Sequence, residues 1–161
     1  MSSNSGRSGS AMQRHSSKMR RLRHRLAKTS RSEPLVVAVL LTETLLRPSW
    51  WRAMEYCAWA LLSFLRVRRV NRLSVGIAQI RLDNWVALGW LSTTRFSVHN
   101  LKLVLGAESN YDACNAFLRR HFPDDAVDLR LLARHYTGGQ SLYYARLVRL
   151  AVEEIESSSV P

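Results

Sequence analysis

The chain has 161 residues, with 24 Lys and Arg against 12 Asp and Glu, and 47% of it is hydrophobic. That length supports one compact domain, with or without a tail, and excludes two large ones. The apolar fraction excludes disorder throughout the chain, and seven Gly and four Pro exclude collagen-like and Pro-rich architectures.

The basic charge is unevenly placed. Residues 1–32 hold nine Lys or Arg and no acid, so the rest of the chain is only slightly basic. The high pI is thus a property of this segment, which we read as a basic tail (1–32) preceding a folded domain (33–156). Residues 1–10 are Ser- and Gly-rich with no apolar period, which predicts a disordered segment. Met12, Met19, Leu22 and Leu26 then fall on one helical face among arginines, a conditional amphipathic helix. It is either a solvated tail or a contact for an anionic membrane, a cell-wall polymer or another polyanion. The apolar run Leu35-Val-Val-Ala-Val-Leu-Leu41 follows. Its long basic lead, the flanking Glu33, Pro34 and Glu43, and the lack of an Ala-x-Ala-like site argue against a cleaved signal peptide. The run is also too short to span a membrane.

The body reads as helical. Ser30 and Glu33 have capping-box spacing, and Ser32 and Pro34 suit a helix start. A helix over about 33–46 is apolar nearly all round, which predicts burial, and Pro48 ends it. A second, over about 49–65, carries Trp50, Met54, Cys57, Leu61 and Leu65 on one stripe, and most of its Trp residues are expected in the core. A basic connector spans 66–72, and a short helix is expected over 74–88. Further helices are expected over 100–105 and 111–121, then from a cap at Asp124 or Asp125 to about Tyr136. The last, over about 140–155, should present Leu142, Ala145, Val148 and Val152 inward. No sustained period-2 strand, internal repeat or βαβ unit is visible, so the fold class is all-α. Cys57 and Cys114 have no zinc-like spacing and could be bridged or reduced.

Three features carry candidate chemistry. Glu43 lies near the end of an apolar helix, among Leu40, Leu41, Leu45 and Leu46. Lost hydration would raise its pKa and keep a proton available for general acid catalysis. The plainer account is a Glu that faces solvent or pairs with Arg47 or Arg52. Ser74-Val-Gly-Ile-Ala-Gln79 offers a Gly for close backbone approach and an amide able to hold a sugar or its N-acetyl group. Ala133-Arg-His-Tyr-Thr-Gly-Gly139, then Tyr143-Tyr-Ala-Arg-Leu-Val148, offers tyrosine hydroxyls for a cleft, or rings for the core.

Taken in order, these segments resemble the lytic transglycosylases and goose-type lysozymes of the lysozyme-like superfamily. The matching residues are Pro34-Leu-Val-Val-Ala-Val-Leu-Leu-Thr-Glu43, Ser74-Val-Gly-Ile-Ala-Gln79, His135-Tyr-Thr-Gly138 and Tyr144-Ala-Arg-Leu-Val148, with Asn100-Leu…Gly106 between the second and third. The resemblance covers about residues 33–150. Thr44 stands where the family often has Ser, Thr137 where it usually has Asn, and 30 residues separate Glu43 from Ser74.

The resemblance implies a lysozyme-like helical domain that cleaves the MurNAc–GlcNAc bond of peptidoglycan strands without metal or cofactor. Glu43 would act as acid and then base. Ser74, Gly76, Gln79, Tyr136, Thr137 and Tyr144 would line the site, with Tyr136 hydrogen-bonding Glu43 or the substrate. If the enzyme is a hydrolase, Asp83 or Glu55 is the second carboxylate. The alternatives are a catalytically inactive lysozyme-like domain, or a helical nucleic-acid-binding module using the tail. The second is disfavoured, because no polar recognition helix follows a tight turn.

Overall fold

The computed structural model describes residues 33–122, 127–137 and 142–157. The fold is all-α: seven helices and one short hairpin make up its α and β structure among the described residues. The basic tail lies outside them. Helix α1 is Pro34–Leu46, α2 is Ser49–Phe64, and a 3₁₀ turn spans Arg68–Arg72. The hairpin strands are β1, Ser74–Val75, and β2, Ile80–Arg81. Helices α3 (Leu82–Ala87), α4 (Val98–Leu105), α5 (Ala107–His121), α6 (Leu129–Thr137) and α7 (Leu142–Ser157) follow.

Helix α1 is the axis of the core. Pro34 takes the first helical position, where its missing N–H costs nothing. Every residue from Val36 to Glu43 is buried, as a helix apolar on all sides requires. Helix α7 packs along one side of α1, α5 along another, and α6 against α7. The Tyr111 hydroxyl on α5 accepts from the Glu33 N–H at 2.8 Å and ties down the start of α1. At the other end Arg47 is extended, as a residue before proline must be.

Three expectations need correction. Residues 74–88 do not form one helix. Ser74 pairs with Arg81 and Val75 with Ile80, and only α3 is helical. Gly76 (φ +81°) and Gln79 (φ +51°) take left-handed conformations, which break a helix and close a tight turn. The second correction is the stripe of α2: Trp50, Trp51, Met54, Leu61 and Leu65 are exposed, and so is Cys57. Helix α2 instead packs its opposite side, where the Trp59 indole donates to the Thr94 carbonyl at 2.8 Å and meets the Phe96 ring edge-on. Third, Leu142 is exposed; α7 buries Tyr144, Ala145, Val148, Ala151 and Ile155. The two cysteines, which the sequence leaves either bridged or reduced, are free. The proposed caps Ser30, Asp124 and Asp125 lie outside the described residues, and Asp128 accepts from the Arg130 N–H at the start of α6.

Candidate functional site

The last turn of α1 delivers Glu43 to the place where α2, the hairpin and α7 meet. Its residue is only 4% exposed. Burial pushes its carboxyl pKa up from 4.5 to about 7, and Glu55 adds to the rise. A hydrogen bond from the Tyr144 hydroxyl, together with Arg47 and Arg52, pulls in the other direction.

Tyr144, Arg47, Arg52 and Glu55 act on it, and Gln79 joins the cluster through Glu55. The Arg47 guanidinium lies between two carboxyl groups, with Nε 3.9 Å from Glu43 Oε2 and Nη1 on Glu55 Oε1. Gln79 donates from Nε2 to Glu55 Oε2 and to the Gly76 carbonyl, each at 3.0 Å. Arg52 donates to the Glu43 carbonyl oxygen at 3.3 Å, so it holds the backbone rather than the carboxyl group. Two atoms of this cluster, Gln79 Oε1 and Arg52 Nε, are buried without a hydrogen-bond partner among the described residues. Buried polar atoms are seldom left so, because each forfeits its bonds to water. One is an acceptor and the other a donor, and both belong to groups that contact Glu43 or Glu55.

The turn that aims Gln79 is held from beneath. Asn110, fully buried on α5, accepts from the Ala78 N–H at 3.0 Å. Its amide donates to the Val104 and Gly106 carbonyls at 2.7 Å. A Cβ on Gly76 would come within 2.4 Å of Asn110 Oδ1, so only glycine fits there. Nothing local in the sequence marks Asn110 for this role.

The residues expected at the site separate into two groups. Glu43, Gln79, Tyr144, Glu55 and the Gly76 carbonyl come together. Asp83 does not: it sits at the surface and pairs with Arg81. Arg81, between the two, is extended, so Gln79 and Asp83 do not share the helical face that a spacing of four implies. Tyr136 turns its hydroxyl to Cys114 Sγ at 3.6 Å rather than hydrogen-bonding the Glu43 carboxyl, and its ring stacks on Tyr144 at 5.8 Å. It therefore positions the tyrosine that does reach Glu43. Ser74 is half-buried in β1 opposite Arg81, and Thr137 is the last residue of α6. The Thr137 side chain and Gly138–Gly139 lie outside the described residues. Asn100 is buried but braces the loop before α4, donating to the Thr93 and Arg95 carbonyls.

Cys114 is deeply buried beneath this layer, and burial pushes its thiol up to about 12. Its thiolate population near neutral pH is negligible. Iodoacetamide at about pH 8 should therefore add one label, on the exposed Cys57, and a second only after denaturation. Intact-mass spectrometry checks the count.

Among the described residues no group of His, Cys, Asp and Glu side chains could hold a metal ion. Comparison of the chain with protein-family models, curated proteins and solved structures gives no match.

Proposed function

We propose that the domain is a peptidoglycan-cleaving glycosidase with Glu43 as its acid and base. The observation that carries this reading is the Glu43 carboxyl, protonated up to about pH 7 in a cluster that also buries the unmatched acceptor Gln79 Oε1 and donor Arg52 Nε. A sugar hydroxyl or an N-acetyl amide supplies the complementary donor and acceptor. The glycan class follows from the resemblance of the Glu43, Ser74–Gln79, Tyr136 and Tyr144 segments to lytic transglycosylases and goose-type lysozymes.

The chemistry runs as a proton cycle. Glu43 gives its proton to the glycosidic oxygen as the bond from C1 to that oxygen breaks, leaving oxocarbenium character at C1. The new Glu43 carboxylate is stabilised by Tyr144 and by Arg47. It then takes a proton from the sugar's 6-hydroxyl, whose oxygen bonds to C1 and closes a 1,6-anhydro ring. In a hydrolase the second proton comes from water instead, and Glu55 is the second carboxylate.

Mass spectrometry of digested peptidoglycan tests this. Wild type should release anhydro-muropeptides, and Glu43→Gln should be slower by about a thousandfold. Reducing-end products, abolished by Glu55→Gln, would assign hydrolysis instead. A Glu43→Gln protein as active as wild type, or no product from wild type on walls of several chemotypes, overturns the proposal.

A further inference from the structure

Among the described residues nothing covers the outer face of helix α2. Trp50, Trp51, Met54, Leu61, Phe64 and Leu65 are all exposed, Trp50 and Met54 at 63% and Phe64 at 83%. Cys57 is exposed in their midst. At the helical period of 100° per residue, these positions fall within an arc of about 140°. A stripe of this kind is a meeting surface, because isolated apolar side chains are common at surfaces but contiguous ones are not.

Charge selects the occupant. The stripe runs directly into residues 66–72, where Arg66, Arg68, Arg69 and Arg72 are exposed. The single acid of α2, Glu55, is turned inward to Arg47 and Gln79. The surface is therefore apolar and cationic, with no carboxylate from its own helix to repel an anion. Residues 1–32 carry nine basic residues and no acid, so their charge repels them from the arginine end of the stripe. A second copy would bring an equally cationic connector to the interface. An anionic lipid surface satisfies both properties at once: acyl chains for the stripe and phosphates for the guanidinium groups.

We propose that α2 is an interfacial helix that lies in the plane of an anionic membrane. Trp50, Met54, Leu61 and Phe64 enter the acyl boundary, while the arginines of 66–72 contact headgroup phosphates. The basic segment 1–32 adds attraction at longer range. This inference does not depend on the role of Glu43.

Vesicle sedimentation with the full chain tests it, using phosphatidylcholine with and without phosphatidylglycerol. Binding should require the anionic lipid and weaken with salt. Leu61→Glu should abolish it, and Arg68→Glu with Arg69→Glu should weaken it by roughly fivefold or more per arginine. These positions are exposed, so the variants should keep the wild-type circular dichroism and melting transition. A nitroxide on Cys57 reports the contact directly, because it should gain access to oxygen and lose access to a water-soluble relaxant when vesicles are added. Three results overturn the proposal: no binding to anionic vesicles; binding that survives Leu61→Glu but disappears on deletion of residues 1–32; or a wild-type dimer, seen by light scattering and dissolved by Leu61→Glu, with no lipid dependence.

Discussion

Asn110→Ala should lower the free energy of unfolding by about 3–5 kcal/mol, read from urea or thermal denaturation. The substitution removes three hydrogen bonds from a fully buried side chain. Gly106 O keeps a partner, because the Asn110 backbone N–H also donates to it at 3.1 Å. The Ala78 N–H loses the side-chain acceptor that held it, and Val104 O loses the Asn110 amide; each such loss costs about 1–3 kcal/mol. Against a total stability of about 5–15 kcal/mol for a domain, that is a large share. Asn110→Asp separates shape from chemistry. It keeps the size and the acceptor but turns a carboxylate oxygen toward two carbonyls, so it should be at least as harmful as Ala. If Asp were tolerated, the amide donor bonds would not be what holds the turn. The same turn sets the left-handed Gln79, so on the proposed chemistry a folded Asn110 variant should also lose cleavage activity.

How far the sequence reveals this molecule depends on the range of the interactions involved. Helix α1 is legible because its limits are local: a proline at the first position, a proline after the last residue, and an apolar surface on all sides. Glu43 is legible as a carboxyl group among leucines, but the sequence leaves open whether it faces solvent, and only the packing around α1 buries it. The hairpin is not legible. Two-residue strands give no alternation to detect, and the apolar Val75, Ile77 and Ala78 suit a helix equally well. What decides the matter is Asn110, 32 residues beyond Ala78, acting through its side chain. The choice between Tyr136 and Tyr144 is similarly remote. Both lie on helices near a glycine-rich stretch, and only the packing of α7 along α1 brings Tyr144 to the carboxyl group. On α2 the period locates an apolar face but cannot say whether protein covers it. The opposite face carries Trp59 and Tyr56 with the charged Arg52 and Glu55, and it is this mixed face that finds partners within the fold.

The buried Glu43 carboxyl should make stability fall as pH rises, against the usual trend for acidic residues. Its pKa is about 7 in the folded protein and 4.5 in the unfolded chain. Between these values the folded state holds a proton that the unfolded state has released, so raising the pH favours unfolding. Below pH 4.5 both states are protonated and the effect vanishes; above about 7 it is complete. At 1.36 kcal/mol per pH unit, the accumulated cost is about 3 kcal/mol. Glu43→Gln cannot ionise and is nearly isosteric with the protonated acid. It should therefore match wild type at about pH 4 and exceed it by about 3 kcal/mol at about pH 8, in denaturation curves measured across that range. The difference between the two proteins isolates this group from every other titration. The sign discriminates between roles. A carboxylate retained for its ion pair with Arg47 would make the Gln variant less stable at alkaline pH, where that pair is fully charged. A carboxyl group held at a cost in stability makes it more stable there and, on the proposed chemistry, inactive. A Gln variant that is stabilised at high pH is therefore the thermodynamic signature expected of the proposed acid, and a destabilised one speaks for an ion-pair role.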